Sequence, residues 1–223
     1  MQPRRFVVEG TPSALLIHIT EAREASEPLL EALHAVSAGT GFAYAALEVS
    51  DWNRDLSPWP APPVFGDESF GGCGRETLDR LLSQALPALR GELALRGVDR
   101  SLPACIGGYS LAGLFALWAH GECDAFDAVM AASPSVWFPG WDAWADAHSA
   151  PRGPAYLSLG RKEPKTRNRQ MAAVGEAIVR QQARFAAAGV PSLLEWNEGN
   201  HFSEPEARTA KGFAWILNHL RES

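Results

Sequence analysis

Residues Ala104-Cys-Ile-Gly-Gly-Tyr-Ser-Leu-Ala-Gly-Leu114, continued by Phe115-Ala-Leu-Trp118, decide the fold. An apolar run, 104–109, leads directly into the small-residue turn Gly108-Tyr109-Ser110-Leu111-Ala112, and an apolar helix candidate follows at once. A serine at the apex of a tight strand-to-helix turn sits in a strained backbone conformation, so the residues two before and two after it must lack bulk. Gly108 and Ala112 meet that demand, and Gly113 adds room. In a chain rich in glycine and alanine, G-x-S-x-[GA] alone is a weak pattern; the strand-turn-helix context is what makes it a nucleophile elbow. The same turn places the Leu111 N–H at a helix N-terminus, aimed where a tetrahedral oxyanion would form. The competing plain reading is a serine that merely caps a helix.

On either side of this turn, short β-rich runs alternate with longer amphipathic ones. Strands are expected at 14–20, 42–49, 104–109, 126–131, 155–160 and 192–196. Helices are expected at 28–36, 76–95, 111–120, 141–148, 169–188 and 205–220. That rhythm is the signature of an α/β protein with a mainly parallel central sheet and helices on both faces. Residues 50–74 interrupt it. Pro58, Pro60, Pro62 and Pro63 and four glycines there exclude a regular helix or central strand, while Trp52, Trp59, Phe65 and Phe70 argue against a solvated linker. The segment reads as a long ordered loop over a site, or as a surface loop stitched by its aromatics.

A chain of 223 residues with 46% hydrophobic content can bury one substantial core, so residues 1–223 are read as one domain. The formal net charge of −6 offers no general attraction to nucleic acid or to anionic membranes. No apolar stretch approaches the roughly 20 residues of a membrane span, and the apolar run after Arg4 and Arg5 is broken too early for a signal peptide. Cys73, Cys105 and Cys123 lack metal-ligand spacing and read as reduced thiols, which suits a cytoplasmic chain. Neither a metal cluster nor a dinucleotide fingerprint is present in the sequence, and no cofactor is expected.

A serine hydroxyl is a weak nucleophile unless a histidine takes its proton and a carboxylate orients that histidine. Behind an elbow the chain order is serine, acid, histidine. His201, in Glu198-Gly-Asn-His-Phe202, falls between the last strand and the last helix, where a loop can bring it over Ser110; the other five histidines lie on strands, helices or near the C-terminus. Glu163, following the strand 155–160, is the candidate acid, with Glu198 in reserve and a surface ion pair with neighbouring cations as the plain alternative. Leu111 and, more weakly, Thr20 at the end of the first core strand are the candidate oxyanion donors. Trp52, Trp59, Tyr109 and Trp137 are candidate pocket residues at the sheet edge where ligands bind, although tryptophans there also serve as plain packing. The basic cluster Arg161, Lys162, Lys165, Arg167 and Arg169 either steers an anionic substrate or is a solvated loop.

At these positions the chain resembles the compact esterase D-like or siderophore-esterase-like branch of the α/β-hydrolases. The matching pieces are Gly107-Gly-Tyr-Ser-Leu-Ala-Gly-Leu-Phe-Ala116, Ser133-Pro-Ser-Val-Trp137, Leu157-Ser-Leu-Gly-Arg-Lys-Glu163, Gly199-Asn-His-Phe202 and Asp55-Leu-Ser-Pro-Trp59. The resemblance implies an α/β-hydrolase fold whose leading strands are reduced to residues 6–9, with no cap domain. It further implies hydrolysis of a small soluble carboxylic ester or thioester through an acyl-enzyme on Ser110, with Glu163 and His201 completing the site. Arg161 departs from it, standing where many members carry an acid. Two rival functions stay open: an acyltransferase using the same acyl-enzyme, and a silent fold used for binding. The expected partner is a small-molecule ester, with neither nucleic acid nor membrane, and a homo-oligomer is left open.

Overall fold

The computed structural model describes residues 3–21, 26–64, 66–148 and 152–221. Its strands are β1 (Pro3–Glu9), β2 (Pro12–Glu21), β3 (Gly41–Val49), the two-residue β4 (Pro60–Ala61) and β5 (Phe70–Gly71), then β6 (Ala104–Tyr109), β7 (Ala128–Ala132), β8 (Ala155–Gly160) and β9 (Ser192–Asn197). Seven of them form one sheet in the order β1-β3-β2-β6-β7-β8-β9, while β4 and β5 pair apart. Every pairing in the large sheet is parallel except that of β1, which runs antiparallel to β3. The helices are α1 (Ser26–Val36), α2 (Trp52–Leu56), α3 (Gly74–Arg80), α4 (Leu86–Leu95), α5 (Leu111–Glu122), α6 (Trp141–Ala147), α7 (Arg169–Ala172), α8 (Val174–Ala187) and α9 (Pro205–Arg221).

Parallel strands need crossovers, and the crossover helices bury the sheet from both sides. On one face α1 and α9 set Leu29, Leu33, Phe213 and Leu217 against Leu16, Tyr44, Met130 and Tyr156. On the other, α3 to α6 and α8 set Leu78, Leu89, Phe115, Trp141 and Ile178 against Ile17, Ala45, Ile106 and Leu157. This double burial is why β6 is buried at every position rather than alternating.

Several boundaries differ from the sequence expectation, each for a local reason. The helix expected over 76–95 is one rod with a wide turn in it, at residues 81–85, where the Leu86 N–H donates to the Leu81 carbonyl five residues back. Pro87 follows immediately; a proline lacks the N–H and crowds the carbonyl four residues earlier, and the wider turn relieves that conflict. The helix expected over 169–188 is divided between α7 and α8 at Ala173. The leading strand is fuller than expected, running over Pro3–Glu9, and β7 starts two residues later than the reading of 126–131. The interrupted segment 50–74 contains α2, capped by Asp51, whose side chain accepts from the Arg54 N–H. Its prolines come after that single turn. The Asp55 carboxylate accepts from the Ser50 and Asp51 N–H groups at 3.2 Å each, and the Ser57 hydroxyl accepts from the Gly72 N–H at 2.7 Å, so the described parts of the segment, 50–64 and 66–74, are tied to each other; Phe65 lies outside the described residues.

Candidate active site

Between β6 and α5, Ser110 adopts φ 57° and ψ −121°, a conformation that L-residues avoid. A Cβ on residue 108 would lie 2.6 Å from the Ala112 Cβ, so the turn closes only with glycine there. The strain is held from several sides. The Ser110 N–H donates to the Ala132 carbonyl at 3.0 Å, and the Ser110 carbonyl accepts from the Leu114 and Ser135 N–H groups at 3.1 Å each.

The turn after β9 brings His201 over this serine. Its Nε2 lies 2.9 Å from Ser110 Oγ and its Nδ1 lies 2.8 Å from Glu163 Oε2. Glu163 stands in the first turn after β8, and its second oxygen, Oε1, accepts from the Gly160 N–H at 2.7 Å and the Ser133 hydroxyl at 2.8 Å. Burial pushes this carboxyl up, but the bond and charge of His201, with the Gly160 and Ser133 donors, outweigh burial and hold it below the usual carboxylate range. It is therefore ionised at neutral pH. The reserve candidate, Glu198, points into solvent and pairs with Arg161 at 3.2 Å.

Sequence reasoning missed Arg208. On α9 it is 2% exposed. One nitrogen, Nη1, reaches Tyr109 Oη at 3.2 Å, Ser133 Oγ at 3.3 Å and Glu163 Oε1 at 3.3 Å, and Nη2 donates to the Glu198 carbonyl at 2.7 Å. The Tyr109 hydroxyl in turn donates to the His201 carbonyl at 2.7 Å. One guanidinium thus ties the ends of β6 and β7 to the acid and to the histidine loop. A visible signal was an arginine inside the run Arg208-Thr-Ala210, with the small residue Gly212 one turn further on, in a helix with most of its apolar residues buried. The Ser-Pro-Ser piece also finds its explanation. Ser133, at φ 44°, holds the acid, while Ser135 Oγ stands 3.5 Å from Ser110 Oγ.

Ser110 and His201 open onto a cavity of about 730 Å³. Trp52, Phe70, Trp137, Met171, Val174 and Phe202 are its apolar lining, and Lys162, Lys165, Thr166 and Asn200 are among its polar lining. Of the pocket residues expected from sequence, Trp52 and Trp137 line this space. The other two correct that expectation. Trp59 is turned toward α6: its indole N–H donates to the Pro139 carbonyl at 2.7 Å and its ring packs on Phe138 and Trp144. Tyr109 lies behind the histidine, occupied by its two hydrogen bonds. Leu111 lines the cavity at the start of α5, where the first N–H groups of a helix have no partner within it. Thr20 is buried in β2 opposite Glu48 and does not line the cavity. Residues 22–25, which follow β2 in the chain, lie outside those described. Among the described residues no group of three or more His, Cys, Asp or Glu side chains could hold a metal ion, and no helix is long and apolar enough to cross a membrane. The three cysteines are unpaired with one another.

No family profile and no curated protein matches the sequence. Solved structures do match in shape. A serine hydrolase described as IroE-like, from Shewanella oneidensis, superposes with a TM-score of 0.77 at 12% identity, over 96% of this chain and 74% of that one. The enterobactin esterase FES from Shigella flexneri gives 0.64 at 16% identity over 97% of this chain, which spans 54% of the esterase, about half its length. Esterase PE8 gives 0.55 at 12% identity, over 95% of this chain and 97% of that one. The fold is that of the α/β-hydrolases.

Proposed function

We propose that this protein is a serine esterase that cleaves a small carboxylic ester or thioester through an acyl-enzyme on Ser110. The observation that carries the reading is the unbroken row Ser110 Oγ, His201 Nε2, His201 Nδ1, Glu163 Oε2, with spacings of 2.9 and 2.8 Å, at the mouth of an apolar cavity. The names of the structural neighbours point the same way, because ester or serine-hydrolase chemistry is common to them.

In this mechanism Ser110 Oγ attacks the ester carbonyl as His201 Nε2 takes its proton. Glu163 accepts from Nδ1–H, fixing the tautomer that leaves Nε2 free, and its negative charge stabilises the imidazolium that forms. The Leu111 N–H, with the positive end of α5 behind it, meets the developing oxyanion. His201 then hands the proton to the departing alcohol or thiol. Water repeats the sequence in reverse, releasing the acid and restoring Ser110.

Turnover of short-chain p-nitrophenyl esters by the wild type and by Ser110→Ala tests the reading. Loss of about 10⁴-fold or more in the variant, with the fold retained by circular dichroism, is the expected result. If the wild type shows no turnover with any ester, the fold is serving as a binding scaffold instead.

A further inference from the structure

We propose that the site takes esters carrying a second, anionic group, which Lys162 and Lys165, exposed residues lining the cavity, hold. The inference rests on the esterase reading and adds its substrate class.

A single tight turn carries the argument. Residues Glu163–Lys165 form one turn of 3₁₀-helix, begun by Lys162. In that geometry residues three apart eclipse, so Lys162 and Lys165 rise on the same side. The turn is fixed at both ends. The Lys162 N–H donates to the Gly199 carbonyl at 2.9 Å, and the Lys165 N–H to the Lys162 carbonyl at 3.1 Å. Between the two lysines, Glu163 points the other way, into the protein and onto His201. The residue that orients the histidine therefore also sets two cations at the rim of the same cavity.

Among the described residues the charge of this turn is not balanced: neither lysine is in an ion pair, whereas Arg161 beside them is paired with Glu198. Among the described residues the one carboxylate lining the cavity is Glu163, which is already engaged by His201 and Arg208. Besides Ser110 and His201, the remaining polar residues there, Asn53, Ser135, Thr166 and Asn200, are neutral. A carboxylate or other anion bound in this space would meet two uncompensated ammonium groups, and a second cation would be repelled. The anionic group takes no part in bond breaking; it fixes which end of an apolar ester faces the lysines.

Matched pairs of esters test this on the full chain. In the first pair the anion is on the acid side, p-nitrophenyl pentanoate against the p-nitrophenyl monoester of glutaric acid. In the second it is on the alcohol side, p-methylphenyl butyrate against p-carboxyphenyl butyrate. The readout is the ratio of kcat/KM, anionic over neutral, measured in the wild type, in Lys162→Gln/Lys165→Gln and in Lys162→Glu/Lys165→Glu. Because the ratio is taken within one protein, a partly misfolded variant does not distort it. For at least one pair the ratio should fall about tenfold from wild type to the Gln double variant, and further in the Glu variant, as expected for two exposed ion pairs lost. The wild-type advantage should also shrink in high salt. If neutral esters turn over and the ratios are equal in all three proteins, the anionic-substrate inference is overturned and the esterase reading stands. If no ester of either kind turns over in the wild type, both fall together.

Discussion

The turn that carries Ser110 is built within one stretch of chain, from Gly108 to Gly113, by residues chosen for lack of bulk. The turn that carries Glu163 is built from distant parts: Gly160 and Glu163 after β8, Ser133 after β7, Arg208 on α9 and His201 with the Glu198 carbonyl after β9. The first is a steric solution, in which a Cβ at 108 would collide with Ala112. The second is electrostatic: burying a carboxylate next to a histidine requires donors to both of its oxygens, and four groups supply them. Local sterics are written in consecutive letters, whereas buried charge is balanced by whatever the fold brings near.

If the acid turn is as specialised as this contrast implies, its carboxylate cannot be exchanged for an amide. Glu163→Gln should lower kcat by about 10³ to 10⁴, because the amide no longer enforces the histidine tautomer. Glu198→Gln should stay within about twofold, as an exposed side chain with one surface pair. Steady-state kinetics on one ester separates the two, and equal losses would break the distinction between them.

Arg208 sharpens the comparison next. Arg208→Leu leaves a buried carboxylate without its cation and the Glu198 carbonyl without its donor, and should cost about 3 to 5 kcal/mol in urea unfolding. Arg208→Lys keeps the charge but cannot span both partners, and should fall between the two. A Leu variant as stable as the wild type would mean that the acid turn does not depend on its distant support.

Acidification should expose the elbow side first. His18, on β2 opposite Gly107, and His120, on α5, are buried, and burial lowers each from the ordinary 6.5 to about 4. The unfolded chain takes up those protons below about pH 6.5 while the fold refuses them until about pH 4. Stability should therefore decline across that window, by up to about 3 kcal/mol for each histidine. Glu163, whose carboxyl is held low, adds its own loss only at more acid pH, below its ordinary 4.5. Urea melts of the wild type, His18→Gln and His120→Gln at pH 7 and pH 4.5 check this; each variant should show a shallower decline, and an unchanged slope would contradict it.

The smallest effects expected concern the tryptophans. Trp137→Phe alters the cavity wall and should change KM a few-fold, whereas Trp59→Phe loses its bond to the Pro139 carbonyl and about 1 kcal/mol of stability with kinetics preserved. The reverse pattern would restore Trp59 to the pocket.

The same contrast explains what the sequence disclosed. The alternating sheet, the elbow and the positions of Glu163 and His201 were legible because each depends on periodicity or on neighbours in the chain. Choosing Glu163 over Glu198 required the third dimension, since both closely follow a strand and what separates them is which way their side chains turn. Trp59 and Tyr109 were misplaced for a related reason. Both stand beside the site in sequence, and hydrogen bonds to Pro139 and His201 hold them behind it. Arg208 reads as an ordinary helical arginine until its face of α9 is seen to be buried.

The central claim is that Ser110 is an activated nucleophile. Treating the wild-type protein with a fluorophosphonate and measuring its intact mass, followed by peptide mapping, tests this most directly. One stoichiometric adduct on the peptide bearing Ser110, sharply slowed in His201→Ala, is the expected result; no adduct, or one on another residue, would contradict it.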